Sequence, residues 1–241
     1  MANHENTIVE KVAKALFQQA MKQARLDAGV LDFNMSDAMT VFRKLVEETD
    51  TGIAIVSAAY IDDCLKNLFS LHIDKSSRKI FDEIFDFNGP LGTLSSRINL
   101  AFGLSFISKE THQSLNSIRK IRNEFAHSPY GVSFNTEEIK NNIIGIDVNH
   151  KRFIDEIRKS KKIRSVTKSP SRLTMKEMFL IKSALTLASM ASEMIAFPVA
   201  KQNRVPVGAI LGDYDKFPDN LKDIRLITAD CVIEIFRVSK N

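Results

Sequence analysis

The chain of 241 residues is 44% hydrophobic and 26% charged, and it carries a formal net charge of +5. This composition predicts a globular protein with a core of its own, as one large or two small domains. The two cysteines, Cys64 and Cys231, are far apart and in no Cys-x-x-Cys motif, which counts against a disulfide scaffold or a structural zinc site. The N-terminus has no secretion signal, so we expect a cytoplasmic protein.

Apolar residues recur every three or four positions along most of the chain, which predicts an all-α multi-helix bundle. We expect an N-terminal helical extension over residues 1–50, a helical core over 51–200 and a C-terminal extension over 201–241, a division that rests on the family resemblance given below. The first core helix is predicted over Thr51–Ile73. Its apolar side is predicted to carry Ile55, Ala58, Ala59, Leu65 and Phe69.

Two adjacent acids, Asp62 and Asp63, lie in the middle of this first core helix. Adjacent side chains diverge by about 100° on a helix, so the two do not form an acid/base dyad. A solvated helix face is the simpler interpretation of Asp62. The alternative is a supporting role in which Asp62 turns toward Arg97 or Arg122 and orients that cation. Arg97 lies on an otherwise apolar helix and is read either as the partner of an acid or as a second cation at a site.

The segment Asn88-Gly89-Pro90-Leu91-Gly92 is typical of a turn, with its proline near the first position of the next helix. It lacks the Gly-Lys-Ser/Thr of a phosphate loop and the preceding strand of a dinucleotide-binding loop. We therefore expect its glycines to allow a tight approach to that helix.

The ten residues IRKIRNEFAH, at 118–127, form the most informative motif. On a helix Arg119, Asn123 and His127 share one polar face with Arg122 on its edge, while apolar neighbours point into a core. A guanidinium can clamp a phosphate, and an imidazole can transfer a proton at physiological pH, so these residues fit a phosphodiester-handling site. The alternative is a helix terminus at Ser128, where the same side chains satisfy free carbonyls.

A basic segment spans residues 149–172. Nine Lys/Arg oppose two acids there, so the rest of the chain is slightly acidic. Such a cluster predicts contact with nucleic-acid phosphates, although a solvated basic face is the simpler interpretation, and the segment holds no evident base-stacking platform. The candidate nucleic-acid-binding residues are Arg119, Lys151, Arg152, Arg158, Lys159, Lys161, Lys162 and Arg164.

Further along, Thr136-Glu137-Glu138-Ile139 indicates a helix start with acids in its first turn. Met178–Phe197 is a run of nearly twenty mostly apolar residues, a length that could span a bilayer, but Lys182, Glu193 and several small residues favour a packed core helix. The histidines lack metal-ligand spacing and no Gly-x-Ser-x-Gly elbow occurs, so we expect neither a metal nor a cofactor.

The stretch RNEFAH has the Arg-x4-His form of the HEPN superfamily, whose active members are often metal-independent ribonucleases. The wider block Phe87–His127 more specifically resembles the bacterial mannitol operon repressor (MltR-like) family. The matching pieces are Asn88-Gly89-Pro90-Leu91-Gly92, Ser95-Ser96-Arg97-Ile98 and IRKIRN-x-FAH. Weaker similarity extends from about Ile61 through the helix that includes Phe179.

The resemblance implies a HEPN-like or MltR-like helical bundle and two alternative functions. The first is a bacterial transcription regulator that acts through protein contacts, because no DNA-reading motif is recognisable. The second is a metal-independent endoribonuclease in which Arg122, Asn123 and His127 are catalytic. The superfamily further implies a homodimer with the motif helices at a shared cleft, and a protein or RNA partner rather than a membrane.

Overall fold

A computed structural model of the chain describes residues 41, 42, 44–70, 72, 73, 77–128, 131–146 and 174–204. All regular structure within these residues is helical, which confirms the all-α prediction. Residues 1–40 of the predicted N-terminal extension, residues 205–241 of the predicted C-terminal extension and the basic segment from 149 to 172 lie outside the described residues. The helices are α1 (Asp50–Ser70), α2 (Arg78–Phe85), α3 (Leu94–Gly103), α4 (Lys109–His127), α5 (Glu137–Ile144) and α6 (Met175–Asn203).

The core lies where α1, α4 and α6 pack against one another, with α3 beside α1 and α4, and α5 against α4 and α6. The start of α1 lies near the end of α4, while Phe69 near the end of α1 contacts Phe106 just before α4 begins, at 5.6 Å between ring centroids. Helices α1 and α4 are therefore antiparallel. The apolar residues that hold α4 against α1 and α6 therefore determine which side of the bundle the polar residues of α4 face.

The predicted apolar side of α1 is partly wrong. Ala58, Leu65 and Phe69 are buried, but Ile55 is 37% exposed and Ala59 is also exposed. Ile55 and Ala59 lie on the solvent side of α1, and a different set of residues packs against the neighbouring helices. That set includes Ile53, Ala54, Ile61 and Leu68, each at most 1% exposed.

The turn before α3 keeps its predicted role but not its predicted boundary. Helix α3 begins at Leu94, and Thr93 caps it by accepting a hydrogen bond from the Ser96 backbone N–H at 3.1 Å. Pro90 therefore lies in the turn and not at the first helical position. A β-carbon on Gly89 would lie 2.2 Å from the backbone oxygen of Glu83, so this turn folds too closely over α2 for any other residue.

An aromatic stack fixes the end of α4 that carries the motif. Phe134, in the segment before α5, lies 5.1 Å from Phe125 of α4 and 5.0 Å from Phe179 of α6, measured between ring centroids. The backbone N–H of Phe134 also donates to Asp50 Oδ2 at the start of α1, at 3.1 Å. Three helices are thereby joined at the level of Arg122 to His127. Helix α5 starts immediately afterwards, as predicted, with Thr136 at its N-terminal boundary.

Helix α6 is the packed core helix that the sequence predicts. Phe179 and Met190 are fully buried, and the two ionisable residues within the apolar run, Lys182 and Glu193, are buried as well. None of the described helices combines the length and the apolar character that crossing a membrane requires.

Candidate functional site

A row of polar side chains follows the outer face of α4, opposite the buried residues Leu115, Ile118, Ile121 and Phe125. We call this row the polar stripe. Its spacing of three or four residues places every member on one face of the helix. With a rise of 1.5 Å per residue, the stripe is roughly 22 Å long. Its members are His112, Asn116, Arg119, Asn123 and His127.

The three predicted catalytic residues lie at the C-terminal end of the polar stripe, with Asn123 and His127 on it and Arg122 at its edge. Arg122 is exposed, and its Nη1 donates a hydrogen bond to Asn123 Oδ1 at 3.0 Å. His127 is the last residue of α4, one turn beyond Asn123, and its side chain is exposed. The backbone N–H of Ser128 closes the helix by donating to the carbonyl of Glu124 at 3.0 Å. The structure thus brings Arg122 and Asn123 into contact and leaves His127 open to a ligand on the same face.

The N-terminal end of the polar stripe is a chain of side-chain contacts. His112 Nε2 lies 3.1 Å from Asn99 Oδ1 of α3 and donates to it when that nitrogen carries the proton. Asn116 Nδ2 donates to the backbone oxygen of His112 at 3.1 Å, and Arg119 Nε donates to Asn116 Oδ1 at 3.4 Å. Burial lowers the pKa of His112 from its ordinary value, because desolvation disfavours the charged ring.

Sequence reasoning missed one member of this end of the site, Phe102. Its ring lies against the His112 ring with 4.6 Å between centroids and 30° between planes, and Phe102 is 42% exposed. The sequence places Phe102 among the apolar residues of α3, where it reads as a core residue. The turn between α3 and α4 instead brings it onto the outer face, beside His112. The sequence carries no local signal for this contact, because it depends on how the turn between α3 and α4 directs the two helices.

The predicted supporting residues Asp62 and Arg97 form an ion pair between α1 and α3, through Asp62 Oδ1 and Arg97 Nη1. Arg97 is 6% exposed, whereas the Asp62 side chain is about one-third exposed. Asp62 therefore does not lie on a simply solvated face, and it pairs with Arg97 rather than with Arg122. Arg97 is the partner of an acid within the bundle and not a second cation facing solvent.

The predicted nucleic-acid-binding residues divide into two groups. Arg119 lies half-buried on the polar stripe, with the exposed Lys120 and Arg122 beside it. The other group lies outside the described residues, and its role stays a prediction: Lys151, Arg152, Arg158, Lys159, Lys161, Lys162 and Arg164. In the part of the chain that the structure describes, no three His, Cys, Asp or Glu side chains come close enough together to hold a metal ion.

Comparison with known protein families assigns the chain to one family. A family model described as the mannitol repressor matches residues 40–195. Searches of curated proteins and of solved structures found no significant match. The matched range includes α1 to α5, most of α6 and the whole polar stripe, and it confirms the resemblance carried by Phe87–His127. Because this range is well over half of the chain, the chain belongs to the mannitol repressor family.

Proposed function

We propose that the protein is a transcription regulator that acts through protein contacts made by the outer face of α4. This proposal rests on one observation: within the motif at residues 118–127, the large apolar side chains are buried and the polar ones are half-buried or exposed. Ile118, Ile121 and Phe125 are fully buried, whereas Arg122 and His127 face solvent and contribute nothing to the core. The fold requires the apolar residues of the motif. It does not require Arg122 or His127, so these two side chains are free to bind a partner.

The composition of this face supports a protein contact. Arginine and aromatic residues are enriched at protein interfaces, where a guanidinium provides several donors and the rings provide apolar area. The polar stripe and its border combine Arg119, Arg122, Phe102 and two asparagine amides on one side of the bundle. A DNA-reading helix is not needed for a regulator that works by binding another protein.

The test compares repression with folding in strains that carry variants of the full chain. Arg122→Ala and His127→Ala should abolish repression of the target transcript while leaving the melting temperature within a few degrees, because both side chains are exposed. Arg78→Ala is the matched control, since Arg78 is an exposed arginine on α2 whose side chain is 90% accessible. Repression that survives in both motif variants contradicts the proposal. Promoter-specific DNA binding by the purified protein at high salt contradicts it as well.

A second candidate function is metal-independent RNA cleavage, favoured by the contact between Arg122 and Asn123 with His127 exposed on the next turn. The 2′-oxygen of the RNA would attack the adjacent phosphorus and displace the 5′-oxygen, leaving a 2′,3′-cyclic phosphate. His127 would move the proton from the attacking to the leaving oxygen, and Arg122 would stabilise the charge on the phosphorane. Asn123 would hold the Arg122 guanidinium in position.

Incubation of the purified protein with mixed RNA in EDTA separates the two functions. Cleavage that falls by about 10²-fold or more in His127→Ala would establish the enzyme. Intact RNA, together with repression that depends on Arg122 and His127, would establish the regulator.

We also propose that the same end of α4 forms a symmetric homodimer contact or accepts the protein partner. The family resemblance is the support for this part of the proposal. Light scattering at tens of micromolar protein should give the mass of a dimer. A strict monomer whose repression still depends on Arg122 assigns the surface to the partner alone.

A further inference from the structure

The N-terminal end of the polar stripe contains an aromatic surface formed by Phe102 and His112. Phe102 of α3 stacks on His112 of α4, and 42% of Phe102 remains exposed. A single exposed phenylalanine needs no special explanation. This ring differs because its inner face rests on an imidazole that side chains from both helices orient.

The orientation comes from two asparagines. Asn99 Oδ1 lies 3.1 Å from His112 Nε2, and Asn116 Nδ2 lies 3.2 Å from the same nitrogen. Nε2 donates to Asn99 in one tautomer and accepts from Asn116 in the other, so in either tautomer one hydrogen bond restricts rotation of the imidazole, which in turn restricts Phe102. A fixed aromatic ring beside amide groups offers the two features that bind a nucleobase, namely a face for stacking and donors and acceptors for its edge.

Cationic side chains follow on α4, with Arg119 on the polar stripe and Lys120 and Arg122 on either side of it. Arg119 lies seven residues after His112, which is two helical turns or roughly 10 Å along the axis. Exposed Lys120 and Arg122 follow within the next turn. Guanidinium groups bind phosphate oxygens through paired hydrogen bonds. A stacking ring at one end of a row of cations suits a single strand, because its unpaired bases can turn away from the phosphate backbone and stack on a protein ring.

We propose that single-stranded nucleic acid binds along the polar stripe, with one base stacked on Phe102 and the adjoining phosphates bound by Arg119 and Arg122. The proposal goes beyond the regulatory function and requires neither repression nor cleavage. Duplexes should not use Phe102, because their bases are already stacked and paired within the helix. They should bind, if at all, through phosphates alone.

The test is fluorescence anisotropy of the full chain with labelled dT12, which has no 2′-hydroxyl and so cannot undergo the cleavage considered above. Phe102→Ala should weaken binding of dT12 by about fivefold or more, the effect expected for loss of one stacked base. Phe102→Leu should weaken it similarly while keeping an apolar side chain at the contact with His112, and Phe102→Tyr should retain binding. Arg119→Gln should lower the slope of log affinity against log salt by about 0.7, for one phosphate contact on a single strand.

Two variants serve as matched controls. Leu104→Ala removes another exposed apolar side chain from the same end of α3, 48% exposed, and Arg78→Gln removes an exposed arginine from α2. Both should leave binding of dT12 unchanged. Phe102→Ala should also leave any binding of a duplex of equal length unchanged, which separates the stacked base from the phosphate contacts predicted for residues 149–172.

The proposal is overturned if the parent protein does not bind dT12, or if Phe102→Ala and Phe102→Leu bind it as the parent does. An equal loss for the single strand and the duplex would also overturn it, since stacking on Phe102 would then not be the cause. Displacement of dT12 by dTMP at concentrations comparable to dT12 itself would assign the site to a free nucleotide instead of a strand. None of these outcomes bears on the regulatory proposal, which is measured by repression.

Discussion

Lys182 and Glu193 lie on the same helix, α6, and bind the ends of two other helices. Lys182 Nζ donates to the carbonyl oxygens of Ile143 and Ile144 at the end of α5, at 2.8 and 3.0 Å. Glu193 Oε1 accepts a hydrogen bond from Thr111 Oγ1 in the first turn of α4, at 2.8 Å. The cation thus lies at a helix C-terminus and the anion near a helix N-terminus, where each complements the helix dipole. Both charges within the apolar run are thereby accounted for.

Replacing Lys182 with methionine should destabilise the fold. Methionine keeps most of the buried stem but removes the hydrogen bonds from the ammonium group to the two carbonyls, and a hydrogen bond to a charged group contributes about 1.5–3 kcal/mol. Urea unfolding should show this decrease in the free energy of unfolding. Lys201→Met, at an exposed lysine near the end of the same helix, should change it by less than about 0.5 kcal/mol. Equal effects of the two variants would show that the carbonyl contacts contribute nothing to stability.

The turn before α3 should not tolerate a β-carbon. In Gly89→Ala the new atom would lie 2.2 Å from Glu83 O and 2.6 Å from Ile84 O, and neither backbone atom can move independently of α2. We expect a loss of about 3 kcal/mol, at the upper end for overpacking. Gly103→Ala is the control, because no neighbouring atom lies within 4 Å of its added β-carbon and alanine favours the helix. Thermal melts that rank Gly89→Ala at or above Gly103→Ala would refute this account.

Cys64 should be unreactive in the folded protein. It is 4% exposed, and burial together with the nearby Asp63 carboxylate raises the pKa of its thiol to about 12. At neutral pH the thiolate, which is the reactive form, is therefore scarce as well as inaccessible. In a Cys231→Ser background, a thiol reagent should label Cys64 rapidly in urea and very slowly in buffer. Fast labelling in buffer would mean that α1 opens readily or that Cys64 is not buried.

Stability should depend on pH through His112. Because the pKa of His112 is lowered in the folded state, the unfolded chain takes up this proton first as the pH falls through the ordinary value of 6.5. The free energy of unfolding therefore decreases below that pH until the folded ring titrates too. His112→Gln should remove this part of the pH dependence. Urea unfolding of both proteins at several pH values above and below 6.5 should show a difference between them that shrinks toward acid, and a difference that grows would contradict the prediction.

The sequence predicted α4 well because its information is local. Ile118, Ile121 and Phe125 keep one helical period, and Ser128 and a following proline mark the end, so both the buried face and the last residue, His127, agree with the structure. Helix α1 was harder, because apolar residues occur around much of its circumference. Propensity and periodicity then leave its rotation open, and only packing against α4 and α6 places Ile55 outside.

Contacts between distant residues account for what the sequence did not reveal. The pairing of Asp62 with Arg97 joins residues 35 positions apart, and the residue types alone left several partners open for each. The stacking of Phe102 on His112 depends on how the turn between α3 and α4 directs two helices, which no spacing rule specifies. The motif could thus be located from the sequence, whereas the aromatic surface beside it required the fold.

The hydrogen bond from the Phe134 backbone to Asp50 has a consequence for folding kinetics. It joins residues 84 positions apart, so the chain between them must be closed into a loop before the bond can form. For a flexible chain, closure of this length costs about 4 kcal/mol in entropy, which local helix formation does not recover. We therefore expect this contact to form late in folding, after the main barrier. Asp50→Asn should accelerate unfolding and leave the refolding rate nearly unchanged, so this bond contributes mainly to how long the native state persists.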